Sequence, residues 1–149
     1  MTIDKAIFLD IDGVLELKNG YELPVSKWLW GMAYPFDIPC VEVLNTILRK
    51  TDAEIVLSSM WRVDYSSEEL DQIFEWNKVL KNPIAITDWL VGYTRCAEII
   101  TFLKKNKVNK FVMIDDMDLD CHRDKFIKTK MNSGLNMSHM DRIVKLLNE

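Results

Sequence analysis

Two pairs of acids, each closing an apolar run, carry the most chemical potential in this chain. Ala6-Ile7-Phe8-Leu9 leads into Asp10-Ile11-Asp12-Gly13, and Lys110-Phe111-Val112-Met113-Ile114 leads into Asp115-Asp116. Short apolar runs bounded by turn residues read as buried strands, so the carboxylates fall where a strand leaves the core. Side chains alternate along a strand, which turns Asp10 and Asp12 the same way if strand geometry persists. Two unit charges about 4 Å apart repel by roughly 4 kcal/mol at an effective dielectric near 20, so such a pair binds a cation or keeps a proton. Gly13 permits a turn or a close ligand approach. Taken alone, the first stretch has a plainer alternative, a surface Asp-x-Asp-Gly turn.

The elements that must position these acids follow from periodicity and caps. Asp37 can cap a helix from near Pro39 to about Lys50, with Val41, Leu44, Ile47 and Leu48 as its apolar stripe. A strand at Ala53–Ser58 follows, and β, α, β in about fifty residues implies a crossover joining a parallel pair. Ser66-x-x-Glu69 is a capping box opening a helix toward Trp76, Pro83–Thr87 is a short strand, and Trp89–Gly92 is a loop. Thr94 caps a helix with Ile99, Ile100 and Leu103 on its face, and the lysines at 104, 105 and 107 read as its solvated end. Phe126–Thr129 adds a last strand, Ser133-Gly134 a turn, and Ser138-x-x-Asp141 the start of a closing helix. Strands alternating with helices predict an α/β domain with a largely parallel central sheet and helices on both faces.

Bulk properties narrow the classes. The 149 residues fit a single domain over 1–149. The apolar fraction of 48% and charged fraction of 28% are those of a soluble globular chain, and its apolar runs are too short to span a membrane. A net charge of −4 argues against broad non-specific nucleic-acid binding while leaving room for a local basic mouth that receives a phosphate. Cys40, Cys96 and Cys121 are odd in number, widely spaced and without a C-x-x-C pair, so the expectation is reduced thiols in a cytoplasmic protein. The opening Met1-Thr2-Ile3-Asp4-Lys5 has no signal-peptide apolar core, which fits the same expectation.

In open parallel sheets, ligands bind beyond the carboxyl ends of the strands. Asp10 and Asp12, Ser58 and Ser59, and Asp115 and Asp116 all fall at one such edge, where several acids together demand a cation. Oxygen donors without His or Cys suit Mg2+ better than zinc. The hydroxyl of Ser58 and a guanidinium at Arg62 or Arg95 supply what phosphate oxygens need. For Arg62 a surface salt bridge is an equal alternative, and for Arg95 an exposed helix position. Trp28, Trp30, Trp61 and Trp89 could stack on a base at the mouth, although core packing is the favoured expectation for each. His122 and His139 lack partners at ligand spacing and read as structural or exposed.

These residues resemble the haloacid-dehalogenase-like (HAD) phosphatase superfamily: Asp10-Ile11-Asp12-Gly13-Val14-Leu15, a strand ending in Ser58, and Ile114-Asp115-Asp116, in that order. Leu57-Ser58-Ser59-Met60-Trp61-Arg62, Arg95-x-x-Glu98-Ile99, Phe126-Ile127-Lys128-Thr129 and Gly134-Leu135 are more closely similar to the HAD domain of the Swiss Army Knife RNA repair proteins. The resemblance implies a Rossmann-like HAD fold with a minimal or absent cap, because residues 17–36 have room only for a flap and 77–93 only for a small loop. It implies a phosphomonoesterase with Asp10 as nucleophile and Asp12 as general acid and base. Mg2+ would be held by Asp10, by Asp12 through its backbone carbonyl, and by an acid of the Asp115-Asp116 pair. Ser58, Ser59, Arg95 and Arg62 would meet the phosphate, Arg95 standing where the superfamily usually has Lys. The implied partner is a phosphorylated substrate, a nucleotide or polynucleotide end, with no membrane involved. A weakly active or inactive module that keeps the fold is the alternative.

Overall fold

The structure is a computed structural model that describes residues 1–17 and 36–149. Five parallel strands form one sheet: β1 (Thr2–Leu9), β2 (Glu54–Leu57), β3 (Ala85–Ile86), β4 (Lys107–Asp115) and β5 (Phe126–Lys128), in the order β3-β2-β1-β4-β5. The first strand is therefore central. It pairs with β2 from Ala6↔Glu54 to Leu9↔Leu57 and with β4 from Thr2↔Lys107 to Leu9↔Ile114.

Alternation along β1 sorts the core. Ile7 and Leu9 join one buried layer with Leu44 and Leu48 of α1 (Ile38–Thr51), Leu70 and Phe74 of α3 (Ser67–Trp76), and Ile143 and Leu147 of α5 (Met137–Asn148). Ala6 and Phe8 join the other with Cys96, Ile99 and Phe102 of α4 (Arg95–Lys105). There Phe8 meets Phe102 and Phe111 edge to face at 5.6 and 5.7 Å. Each fully buried large side chain contributes about 1.5–3 kcal/mol, which fixes the register of the strand whose end carries Asp10.

The expected helices and strands are present, with local differences. Asp37 accepts from the Cys40 amide, Thr94 from the Ala97 amide, and Ser66 and Glu69 form their capping box. A short helix, α2 (Trp61–Asp64), follows β2 where no element was expected. The closing helix starts earlier than Ser138-x-x-Asp141 implies. Asn136 is its cap, because its side chain accepts from the Ser138 amide while its own amide donates to His139 Nδ1 at 3.2 Å. On α4 the buried face is Cys96, Ile99 and Phe102, with Ile100 and Leu103 only partly covered.

The expectation of three reduced thiols does not hold, because Cys96 and Cys121 form a disulfide and only Cys40 is free. The pair lies 25 residues apart in sequence, and the fold brings the first turn of α4 against the segment that returns after β4. Burial pushes the Cys40 thiol up to about 12, aided by the Asp37 carboxylate beside it. Trp89 is 49% exposed rather than packed in the core, and Trp28 and Trp30 lie outside the described residues, as does most of the 17–36 flap. No described helix is long and apolar enough to cross a membrane.

Candidate active site

At one edge of the sheet each strand gives way to a buried polar residue, the last residue of β4 and the one just after each of the others. Across the sheet these are Thr87, Ser58, Asp10, Asp115 and Thr129, each 5% exposed or less. The chain leaves the core at the end of each strand, so this edge gathers five of the buried polar residues.

Asp10 and Asp115 close neighbouring strands, and the Asp10 amide donates to the Ile114 carbonyl at 3.1 Å. Carboxylate oxygens of Asp10, Asp115 and Asp116 lie within 4.8 Å of one another. Asp12 is not in that group: its Oδ1 accepts from Trp61 Nε1 at 3.0 Å. Burial and the facing Asp115 carboxylate hold the Asp10 carboxyl well above the usual range, and Arg95 offsets only part of this. Burial raises Asp115 as well, against the pull of Arg95. Three carboxylates gathered this closely, with burial disfavouring the charge of Asp10 and Asp115, are chemistry that a small hard cation satisfies.

Arg95 is 8% exposed, so the reading as an exposed helix position is wrong. As the first residue of α4 it is carried to the strand edge, where Nη1 donates to Asp115 Oδ2 at 2.7 Å, lies 3.5 Å from Asp10 Oδ1, and also donates to the Ser58 carbonyl. Arg62 does not make a surface salt bridge either. Its side chain is 4% exposed, ion-paired with Glu98 and donating to the Ser59 carbonyl at 2.8 Å. Ser58 is buried at the edge, whereas the Ser59 hydroxyl accepts from the Trp61 amide at 3.3 Å and belongs to the turn into α2.

Several supporting contacts have no local signal, although Gly13 was expected at a turn and Trp61, Thr129 and Leu135 lie in the motifs that carry the resemblance. Trp61 holds Asp12 while packing against Phe36 and Tyr65. Thr129 Oγ1 donates to the Gly13 carbonyl at 2.7 Å, and the Leu135 amide donates to the Val14 carbonyl at 2.9 Å. Gly13 itself has φ +74°, and a Cβ there would overlap the Asp116 side chain. Glu98 was visible in sequence only as the last member of Arg95-x-x-Glu98, a spacing that puts both on one helix face. His139 serves the α5 cap and His122 is exposed, as expected of residues without ligand partners.

A parallel α/β sheet whose central strand ends in Asp10-x-Asp12-Gly13, with Ser58 on one side and an acid pair on the other, defines a HAD-type domain. The chain belongs more narrowly to the family of the HAD domain in Swiss Army Knife RNA repair proteins, whose model matches residues 6–140. No curated protein and no solved structure matches it.

Proposed function

We propose that this protein is a Mg2+-dependent phosphomonoesterase acting on phosphate ends of nucleotides or nucleic acids. The observation that carries the reading is Asp10 at the central strand end, grouped with Asp115 and Asp116 and faced by Arg95. Asp10 attacks phosphorus, forming an aspartyl-phosphate as the ester oxygen leaves, and Asp12 gives that oxygen its proton. Asp12 then takes a proton from water, whose oxygen attacks phosphorus, breaks the acyl-phosphate bond and frees Asp10 with inorganic phosphate. Arg95 and the Ser58 hydroxyl hold the phosphoryl oxygens, the guanidinium by two donors where a Lys would offer a point charge. Mg2+ held by Asp10, the Asp12 carbonyl and Asp115 or Asp116 would neutralise the site and let a dianion approach.

The substrate class rests on the family, whose domain occurs in RNA repair proteins. The test is phosphate release from ribose 5-phosphate, nucleoside monophosphates and oligonucleotides phosphorylated at either end. Magnesium-dependent release that chelation stops and Asp10→Asn abolishes is expected. Release no greater than that of Asp10→Asn across the whole set would leave the alternative, an inactive module. That second reading draws on Arg95, which already pairs with Asp10 and Asp115 and so partly compensates the acids without a metal.

A further inference from the structure

One buried carboxylate outside the acid cluster gathers contacts that a phosphoryl-transfer mechanism leaves unexplained. Glu98 is 4% exposed. Its Oε2 accepts from Arg62 Nη2 and, at 3.0 Å, from the Leu90 amide, while Oε1 lies 3.8 Å from Arg95 Nε. Arg95 thus stands between two anionic groups, Glu98 behind it and Asp10 with Asp115 in front. Arg62 faces only Glu98 among carboxylates in the described residues, and its buried Nε has no hydrogen-bond partner there.

We propose that Arg62 and Glu98 are a positioning pair for the phosphate site, in which Glu98 aligns Arg95 and Arg62 balances Glu98 so that Arg95 stays turned toward the phosphate. The assignment rests on the phosphatase reading for its meaning, though not for its measurement. A buried carboxylate stripped of its counter-charge draws the nearest cation to itself. Without Arg62 that cation is Arg95, which would leave Asp10, Asp115 and the incoming anion for Glu98. The Leu90 contact extends the same carboxylate to the loop between β3 and α4, so one side chain sets the arginine and the segment beside it.

The experiment uses the full chain with Mg2+, reading inorganic phosphate affinity by calorimetry together with kcat and KM for ribose 5-phosphate, well below the melting temperature of each variant. Arg62→Met should weaken phosphate affinity and raise KM roughly ten- to a hundredfold, with kcat changed less. Arg62→Lys keeps a counter-charge and should stay near wild type. Adding Glu98→Gln to Arg62→Met removes the competitor for Arg95 and should recover much of the lost affinity. A merely structural pair would lower the melting temperature of the single variants and leave phosphate affinity and KM of the folded protein unchanged, and that result overturns the assignment. Should the wild-type protein release no phosphate, the phosphatase reading fails by itself, and the affinity measurements still decide the role of the pair.

Discussion

At the end of β1 the chain runs Asp10-Ile11-Asp12-Gly13 and is braced without covalent links, by Thr129 and Leu135 reaching over from beyond β5 and by Gly13 seated against Asp116. At the end of β4, Asp115-Asp116 leads into a segment that the Cys96–Cys121 bridge fastens to α4. Both ends offer one deeply buried acid and one more accessible acid, and Arg95 faces the two buried ones. The β1 end depends on backbone fit, the β4 end on a cross-link. Each should therefore fail in its own way.

The largest difference is expected in catalysis. Asp10→Asn removes the proposed nucleophile and should lower kcat about 10³-fold or more at any magnesium concentration. Asp115→Asn removes a candidate metal donor, so raising magnesium should restore part of its rate. A titration of rate against magnesium separates the two, and recovery of Asp10→Asn at high magnesium would refute its assigned role. Next comes the fit of the β1 loop. Gly13→Ala forces a side chain into a left-handed conformation and into Asp116, at about 4 kcal/mol. Gly92→Ala at φ +79° has open space and should cost only about 1 kcal/mol. Denaturant melts giving equal losses would show that the Asp116 contact is unimportant.

The cross-link of the β4 end comes third. Closing a loop across a 25-residue separation contributes about 3 kcal/mol, so a dithiol reductant should lower the melting temperature by roughly 10 °C. Cys96→Ser should then show no further response to reductant; equal melting of the wild-type protein with and without reductant would remove the bridge from the account. The smallest effect belongs to the segment bracing β1. Burial lowers the His139 pKa below 6.5, and neutral Nδ1 accepts the Asn136 amide at the start of α5. The unfolded chain takes up the proton first, so this stabilisation is present above pH 6.5 and is lost as pH falls. The loss should be at most about 1 kcal/mol. His139→Gln should flatten that part of the profile, and an unchanged slope in the variant would assign it to other groups.

The acid pairs, Ser58 and the helix start at Arg95 were legible because an apolar run that stops at an acid or hydroxyl, or a Thr cap ahead of a helical period, is a local signal. Partners far apart in sequence gave no such signal. The Trp61 indole meets Asp12 49 positions away, and Thr129 meets Gly13 across 116. Glu98 looked like any acid in a first helical turn, although it bonds Arg62 on another element. Ser138-x-x-Asp141 satisfied the capping pattern, but Asn136 with His139 met the same requirement two residues earlier. The cysteine pairing was missed because parity and spacing say nothing of which loops return over the same face.

That pairing also makes residues 96–121 a covalent ring containing Glu98, Asp115 and Asp116. Met117 and Asp118 are exposed on it, so a protease can reach the backbone there. Cleavage between them would leave two polypeptides, one bearing Asp10, Arg95 and Asp115, the other Thr129 and Leu135, joined through sulfur. The nicked molecule would migrate as one species until a thiol parted it.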